Sequence, residues 1–178
     1  MGKDKASLER DGRSQLQHAV ELLQASLARV FVSTRAEQQD DPLRRQFECI
    51  VDRYDDMGPL AGILTAMEHS PESGWLVLAC DLPNVDSAVI DYLLDNISES
   101  RPFTAYASSY DGLPEPLCAY YAPAACDVIR QFAESGVTCP RKIMIRSDTK
   151  LLQQPDPAAL DNVNTPEDLR GSRLGAGS

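Results

Sequence analysis

Trp75-Leu76-Val77-Leu78-Ala79-Cys80-Asp81-Leu82-Pro83 is the stretch that decides the fold. Its first six residues are all apolar and show no alternation, and Gly74 and Asp81 bound them. A run too short for most helices and apolar throughout predicts a strand covered on both faces, as in a parallel sheet. We place this strand at the centre of the sheet. Asp81 then emerges at the carboxyl end of the strand, and Leu82-Pro83 turns the chain at once.

Upstream, Gly58 and Pro59 open an amphipathic segment, with Leu60, Ile63, Leu64 and Met67 on one helical face and Pro59 in the first turn. Val30 to Val32 and Phe47 to Val51 are short β-branched and aromatic runs that read as strands. Leu16, Val20, Leu23 and Leu27 recur at helical spacing behind a capping Ser14. Downstream, Asp86 caps a helix reaching Asn96, Phe103 to Ser108 and Leu117 to Tyr121 read as strands, and a helix runs from Pro123 to about Glu134. Residues 140–145 fit either state, Lys150 to Leu152 fits a short strand, and Thr165 to Leu169 reads as a capped final helix. Alternating strands and helices predict an α/β fold: an open, mostly parallel sheet with helices on both faces. No repeat or linker divides it, so we expect one domain over residues 1–170 and a flexible Gly/Ser-rich tail over 171–178.

Composition narrows the function. Seventeen Lys and Arg stand against 27 Asp and Glu, a net charge of −10, and the basic residues are scattered. Such a surface repels a nucleic acid backbone, so no polymeric nucleic acid partner is expected. A small phosphate ligand is not excluded, because it needs only local N–H groups, a cation or two and a metal ion. No stretch approaches the roughly 20 apolar residues of a membrane span, so no membrane partner is expected. The five cysteines lack C-x-x-C spacing and read as reduced core or near-core residues, and without a signal pattern the expected location is cytoplasmic.

In an open parallel sheet, ligands bind beyond the carboxyl ends of the strands. Asp81 stands at such an end, as a carboxylate for a dication carrying a triphosphate or as a cap of the turn before Asp86. Asp52 follows another strand and either accepts hydrogen bonds from a base or sugar or is an exposed loop acid. Arg35 is a phosphate or base contact or a solvated charge, and Lys5 a phosphate cation or a terminal charge. The glycines of Gly58-Pro59-Leu60-Ala61-Gly62 permit close backbone approach near a helix start, where N–H groups could face an anion. Asn162 and Asn164 alternate, so in an extended segment both amides project to one side, suited to a heterocyclic edge or to capping the last helix. His18 and His69 have no partners at ligand spacing. No Ser-His-Asp set, zinc pattern or Walker loop occurs.

Four motifs carry a resemblance: Met1-Gly2-Lys3-Asp4-Lys5-Ala6, Gly58-Pro59-Leu60-Ala61-Gly62, Cys80-Asp81-Leu82-Pro83, and Asn162-Val163-Asn164-Thr165-Pro166-Glu167-Asp168-Leu169. In this order and spacing the chain resembles the molybdenum cofactor guanylyltransferase family, MobA-like NTP transferases within the Rossmann-like nucleotide-diphospho-sugar transferase fold. The resemblance implies transfer of GMP from GTP to molybdopterin, with release of pyrophosphate and with Mg²⁺ as cofactor. It assigns the metal to Asp81, nucleotide contacts to Lys5, Arg35 and Asp52, and the pterin side to Asn162 and Asn164. Contact with cofactor-delivery or molybdoenzyme-maturation proteins is a further implication. The family's opening strand and glycine-rich loop, of pattern L-A-G-G-x-S-x-R, lie before the point where this sequence starts. That strand would run between the one near Val30 and the one from Trp75 to Cys80. Either the natural protein retains that segment or this is a shortened relative that binds pterin or nucleotide without transferring it. Transfer of another nucleotide, or to another small phosphorylated acceptor, also fits the fold.

Overall fold

The structure, a computed structural model, describes residues 6, 9–10 and 12–161. The fold is mixed α/β. A two-residue hairpin joins β1 (Glu9–Arg10) to β2 (Arg13–Ser14), with Gly12 at φ 75° in its turn. Helix α1 (Gln15–Gln24) follows immediately. Ser14 caps it by accepting from the Gln17 amide, while the Gln17 side chain accepts from the Ser14 amide, a reciprocal box that fixes the helix start. Strands β3 (Val32–Thr34) and β4 (Cys49–Val51) pair in parallel, with two 3₁₀ turns between them.

Helix α2 (Pro59–His69) begins after Gly58, whose φ of 55° suits glycine, and Pro59 occupies its first turn. Then come β5 (Trp75–Leu78), α3 (Ser87–Asp95), β6 (Phe103–Ala107), β7 (Pro114–Tyr121), α4 (Ala125–Glu134), α5 (Pro140–Ile145) and β8 (Thr149–Leu152). Their four strands form one sheet in the order β5-β7-β6-β8. Strand β7 runs antiparallel to both neighbours and β8 runs parallel to β6.

This pairing refines the expected α/β sheet, which is mixed, and corrects one placement: β5 is not central but is its edge among the described residues, with β7 as its single partner. Both faces of β5 are nonetheless partly covered, its four residues being half-buried. Trp75 and Val77 pack against one apolar cluster, and Leu76 and Leu78 against the other. An apolar run records covered faces, which side chains report, but it does not record neighbours, which backbone hydrogen bonds supply. The central, fully buried strand is β6: Phe103 and Ala105 face the cluster shared with α2, α4 and α5, and Tyr106 faces the cluster shared with α3. The Tyr106 hydroxyl donates to the Val89 carbonyl at 2.6 Å, which fastens α3 to the sheet. Helices thus lie on both faces, as expected.

The ambiguous segment 140–145 is a helix led by Pro140, and the β1–β2 hairpin is an element the sequence reading missed. The cysteines divide. Cys118 and Cys126 are buried and Cys80 half-buried, but Cys49 and Cys139 are exposed, so the reading of all five as core or near-core residues holds for three of them. All five are free thiols. The helix expected over 165–169 and the tail lie outside the described residues. Among the described residues no helix is long and apolar enough to cross a membrane.

Helix α2 connects the two larger sheets. It touches β3 and β4 on one side and β5 and α4 on the other. A separate cavity of about 300 Å³ lies between Val30 and Phe31, just before β3, and Trp75 and Leu76 at the start of β5. The Phe31 and Trp75 rings meet there at 5.6 Å.

The cap of α3 offers a test of how this layer is held. The Asp86 carboxylate accepts from the Val89 amide at 3.0 Å. Asp86→Ala should cost about 1 kcal/mol, lowering the melting temperature by about 2–4 °C for a chain of this size. Asp86→Asn should recover most of that loss in the same thermal melt.

Candidate functional site

Beyond the carboxyl ends of β3 and β4 the chain encloses a cavity of about 580 Å³. Ser33 and Arg35 reach it from β3 and the turn after it, Asp52 and Tyr54 from the segment leaving β4, and Gly58 and Ala61 from the start of α2. Two of the residues singled out from sequence, Arg35 and Asp52, therefore meet in one place. Asp81 does not line this cavity; it sits in the turn beyond β5, on the neighbouring sheet. Lys5, Asn162 and Asn164 lie outside the described residues.

Asp52 is held firmly. The Ser33 hydroxyl donates to Asp52 Oδ1 at 2.7 Å, and the Asp52 amide donates to the Thr34 carbonyl at 2.8 Å, extending the β3–β4 ladder by one step. Partial burial raises the Asp52 pKa above the usual aspartate range. The Ser33 hydrogen bond and the Arg35 charge oppose that rise, and Glu37 adds to it. The consequence for stability has a definite sign. The folded pKa exceeds the unfolded one, so this carboxyl favours folding most at low pH, and the contribution is lost as pH rises through the folded value.

The closeness of Ser33 and Asp52 to α2 depends on Gly62. A Cβ there would stand 2.2 Å from Ser33 Oγ and 3.2 Å from Asp52 Oδ1, so a larger residue would displace the hydroxyl that holds the carboxylate. The sequence reading assigned the Gly58 to Gly62 glycines to backbone approach with amides facing an anion. Gly62 does serve close approach, but its neighbours are two polar side chains. Ser33 and Tyr54 were missed altogether. The available signal was a glycine in a helix interior, which costs about 1 kcal/mol relative to alanine and so asks for a packing reason.

The lining is acidic. Asp52, Asp55, Asp56 and Glu37 face one guanidinium, Arg35, which itself pairs with Glu37 at 3.4 Å. Such a surface repels a triphosphate and accepts hydrogen-bond donors.

A family model described as the MobA-like NTP transferase domain matches residues 1–150. The chain belongs to that family. Among relatives, a molybdenum cofactor biosynthesis bifunctional protein of Synechocystis is 33% identical over 94% of this chain and 48% of its own length. A probable molybdenum cofactor guanylyltransferase of Flavobacterium johnsoniae is 26% identical over 69% of this chain and 65% of its own length. A molybdenum cofactor guanylyltransferase of a Shewanella species is 27% identical over 93% of this chain and 85% of its own. The chain thus spans about half the length of the Synechocystis relative and just under two thirds of the F. johnsoniae one. The solved structure of molybdopterin-guanine dinucleotide biosynthesis protein A from Archaeoglobus fulgidus aligns over 94% of this chain and 87% of its own with a TM-score of 0.75 at 24% identity, a likeness of fold. The Thermus thermophilus 2-C-methyl-D-erythritol 4-phosphate cytidylyltransferase shares the fold over 98% of this chain and 94% of its own, with TM-score 0.73 and 14% identity.

Within this MobA-like domain, Asp81 offers a single carboxylate in the turn beyond β5. One fixed carboxylate is what an Mg²⁺ carried by a triphosphate requires of the protein, phosphate and water filling its other positions. No group of three His, Cys, Asp or Glu among the described residues is placed so as to hold a metal ion by itself.

The hydrogen bond from Ser33 can be tested through its effect on titration. In Ser33→Ala the Asp52 carboxyl should titrate at a higher pH than in the parent, because burial is then less opposed. Carbon-detected NMR of the carboxyl resonance across pH 3 to 7 measures the shift.

Proposed function

We propose that the chain transfers GMP from GTP to molybdopterin, giving the guanine dinucleotide form of the cofactor and pyrophosphate. The names of its relatives support the reaction class. The observation that carries the choice of nucleotide is the acidic cavity at Asp52. Guanine presents two adjacent donors, N1–H and the 2-amino group, to a single carboxylate, whereas the corresponding edge of cytosine presents one amino group beside acceptors. A cavity with four carboxylates and one paired guanidinium suits the first edge better.

The site then divides by charge. The base lies in the cavity between β3, β4 and α2, where a triphosphate would be repelled. The phosphates lie toward Asp81 at the end of β5, with Lys5 as their cation. Mg²⁺ held by Asp81 would neutralise charge on the triphosphate. An oxygen of the acceptor phosphate forms the new bond to the α-phosphorus of GTP as the bond from that phosphorus to the bridging oxygen breaks, and the electron pair leaves with pyrophosphate. The chain supplies little covalent chemistry of its own. It binds the donor edge of the base through Asp52, contacts the nucleotide further through Arg35, and presents the acceptor through Asn162 and Asn164, so that rate comes from positioning and from charge stabilisation.

Pyrophosphate release from GTP in the presence of molybdopterin and Mg²⁺ tests the proposal. GTP should react and CTP should react at least about tenfold more slowly, the discrimination of one well-made polar contact. Asp81→Ala should lower the rate by at least about a hundredfold, a loss typical of removing a charge-stabilising group. Binding of GTP without any pyrophosphate release would instead favour a non-catalytic relative.

A further inference from the structure

We propose that Tyr54 forms the aromatic wall against which the base of the nucleotide stacks, and that Thr65 and Glu68 of α2 are positioning residues that set this ring and its neighbour Asp52. The inference rests on the cavity at Asp52 being the base site, and adds to it the residues that determine how the base is gripped.

Tyr54 lines the cavity and also packs against the apolar cluster that contains Leu60, Ile63 and Leu64, so its ring stands between core and cavity. Its hydroxyl donates to Glu68 Oε1 at 2.8 Å. Arg130 donates to the same oxygen from Nη2 at 3.0 Å and from Nε at 3.2 Å, and Arg53 Nη1 stands 3.8 Å from Glu68 Oε2. The Glu68 side chain is only 13% exposed, whereas the Arg130 and Arg53 side chains that meet it are 46% and 62% exposed. One residue earlier, the Arg53 amide donates to Thr65 Oγ1 at 3.0 Å, and Thr65 is 1% exposed. Asp52 lies against Gly62 through Ser33.

Three consecutive residues thus meet α2 at steps of three along the helix: Asp52 lies against Gly62, and Arg53 and Tyr54 are hydrogen-bonded to Thr65 and Glu68. The phenol is committed to Glu68, which leaves the ring as the part of Tyr54 that the cavity can use. A ring whose tip is tethered has little rotational freedom to lose when a planar ligand settles on it, so the site is ordered before the ligand arrives. A purine base offers a π face to such a wall, and the Asp52 carboxylate meets its donor edge.

Isothermal titration of the full chain with Mg²⁺ and either GTP or tripolyphosphate separates a base contact from a general effect on the fold. Tyr54→Ala should weaken GTP binding about tenfold, the range found for loss of one base-stacking ring, and leave tripolyphosphate binding unchanged. Tyr54→Leu, which fills the space without a π face, should show the same loss and guards against misfolding of the alanine variant. Tyr54→Phe should bind within about threefold of the parent, since it keeps the face and loses only the tether. Thr65→Val should lose part of the GTP affinity and Thr65→Ser should restore it. If Tyr54→Leu binds GTP as the parent does while Asp52→Asn binds it weakly, the role of Tyr54 is overturned and the base site stands. If neither variant changes GTP binding, the base site itself is wrong. If tripolyphosphate binding falls in parallel with GTP, the effect is not on the base and the role is likewise overturned.

Discussion

The approach of α2 to the carboxyl ends of β3 and β4 is the constraint on which the rest of the molecule turns. At Gly62 the helix comes so near that Ser33 Oγ occupies the space where any larger side chain would begin. Because the helix is this close, Arg53 can be held by Thr65 and Tyr54 by Glu68, beside the Asp52 that Ser33 holds across β3 and β4. The other side of α2 carries Leu60, Ile63, Leu64 and Met67 into the core shared with β6, β7 and α4. One helix therefore locks the small β3–β4 sheet to the four-stranded sheet and shapes the cavity in the same contact. Interiors packed at crystal-like density transmit such a constraint, so a displacement at Gly62 would be felt on both sides.

On the proposed function, charge gives a reason for Asp52 and Asp81 to stand on two sheets rather than at one point. The cavity collects carboxylates and a single paired arginine, an arrangement that selects hydrogen-bond donors and discourages phosphate. Asp81 stands apart at the end of β5, where a metal-bound phosphate would not have to compete with those acids.

Much of this was legible in the sequence, for reasons that attach to particular residues. Ser14 and Asp86 announced their helices because capping is local chemistry, and α2 was legible because Pro59 and its apolar stripe agree. Asp52 and Arg35 were singled out as residues just beyond strands, where chain direction alone puts them near a site. Strand β5 was half legible: its apolar run recorded two covered faces and was silent about its single neighbour. Strand β7 begins at Pro114-Glu115-Pro116, upstream of the strand expected from Leu117, and Pro114 and Glu115 pair with β6 past an irregularity at Ala105 and Tyr106. Ser33, Tyr54, Thr65 and Glu68 carried no sequence signal because their roles arise only when α2 meets β3 and β4. Gly62 was the one local trace of that meeting, an isolated glycine in an otherwise strong helix.

The central claim is that a carboxylate held in the gap that Gly62 creates receives the base. The most direct measurement is the dissociation constant of GTP with Mg²⁺ for Gly62→Ala, taken alongside far-ultraviolet circular dichroism. The account expects affinity to fall about tenfold, the size of one lost polar contact, with the helical signal retained. Parent-like affinity in a folded Gly62→Ala protein would contradict it.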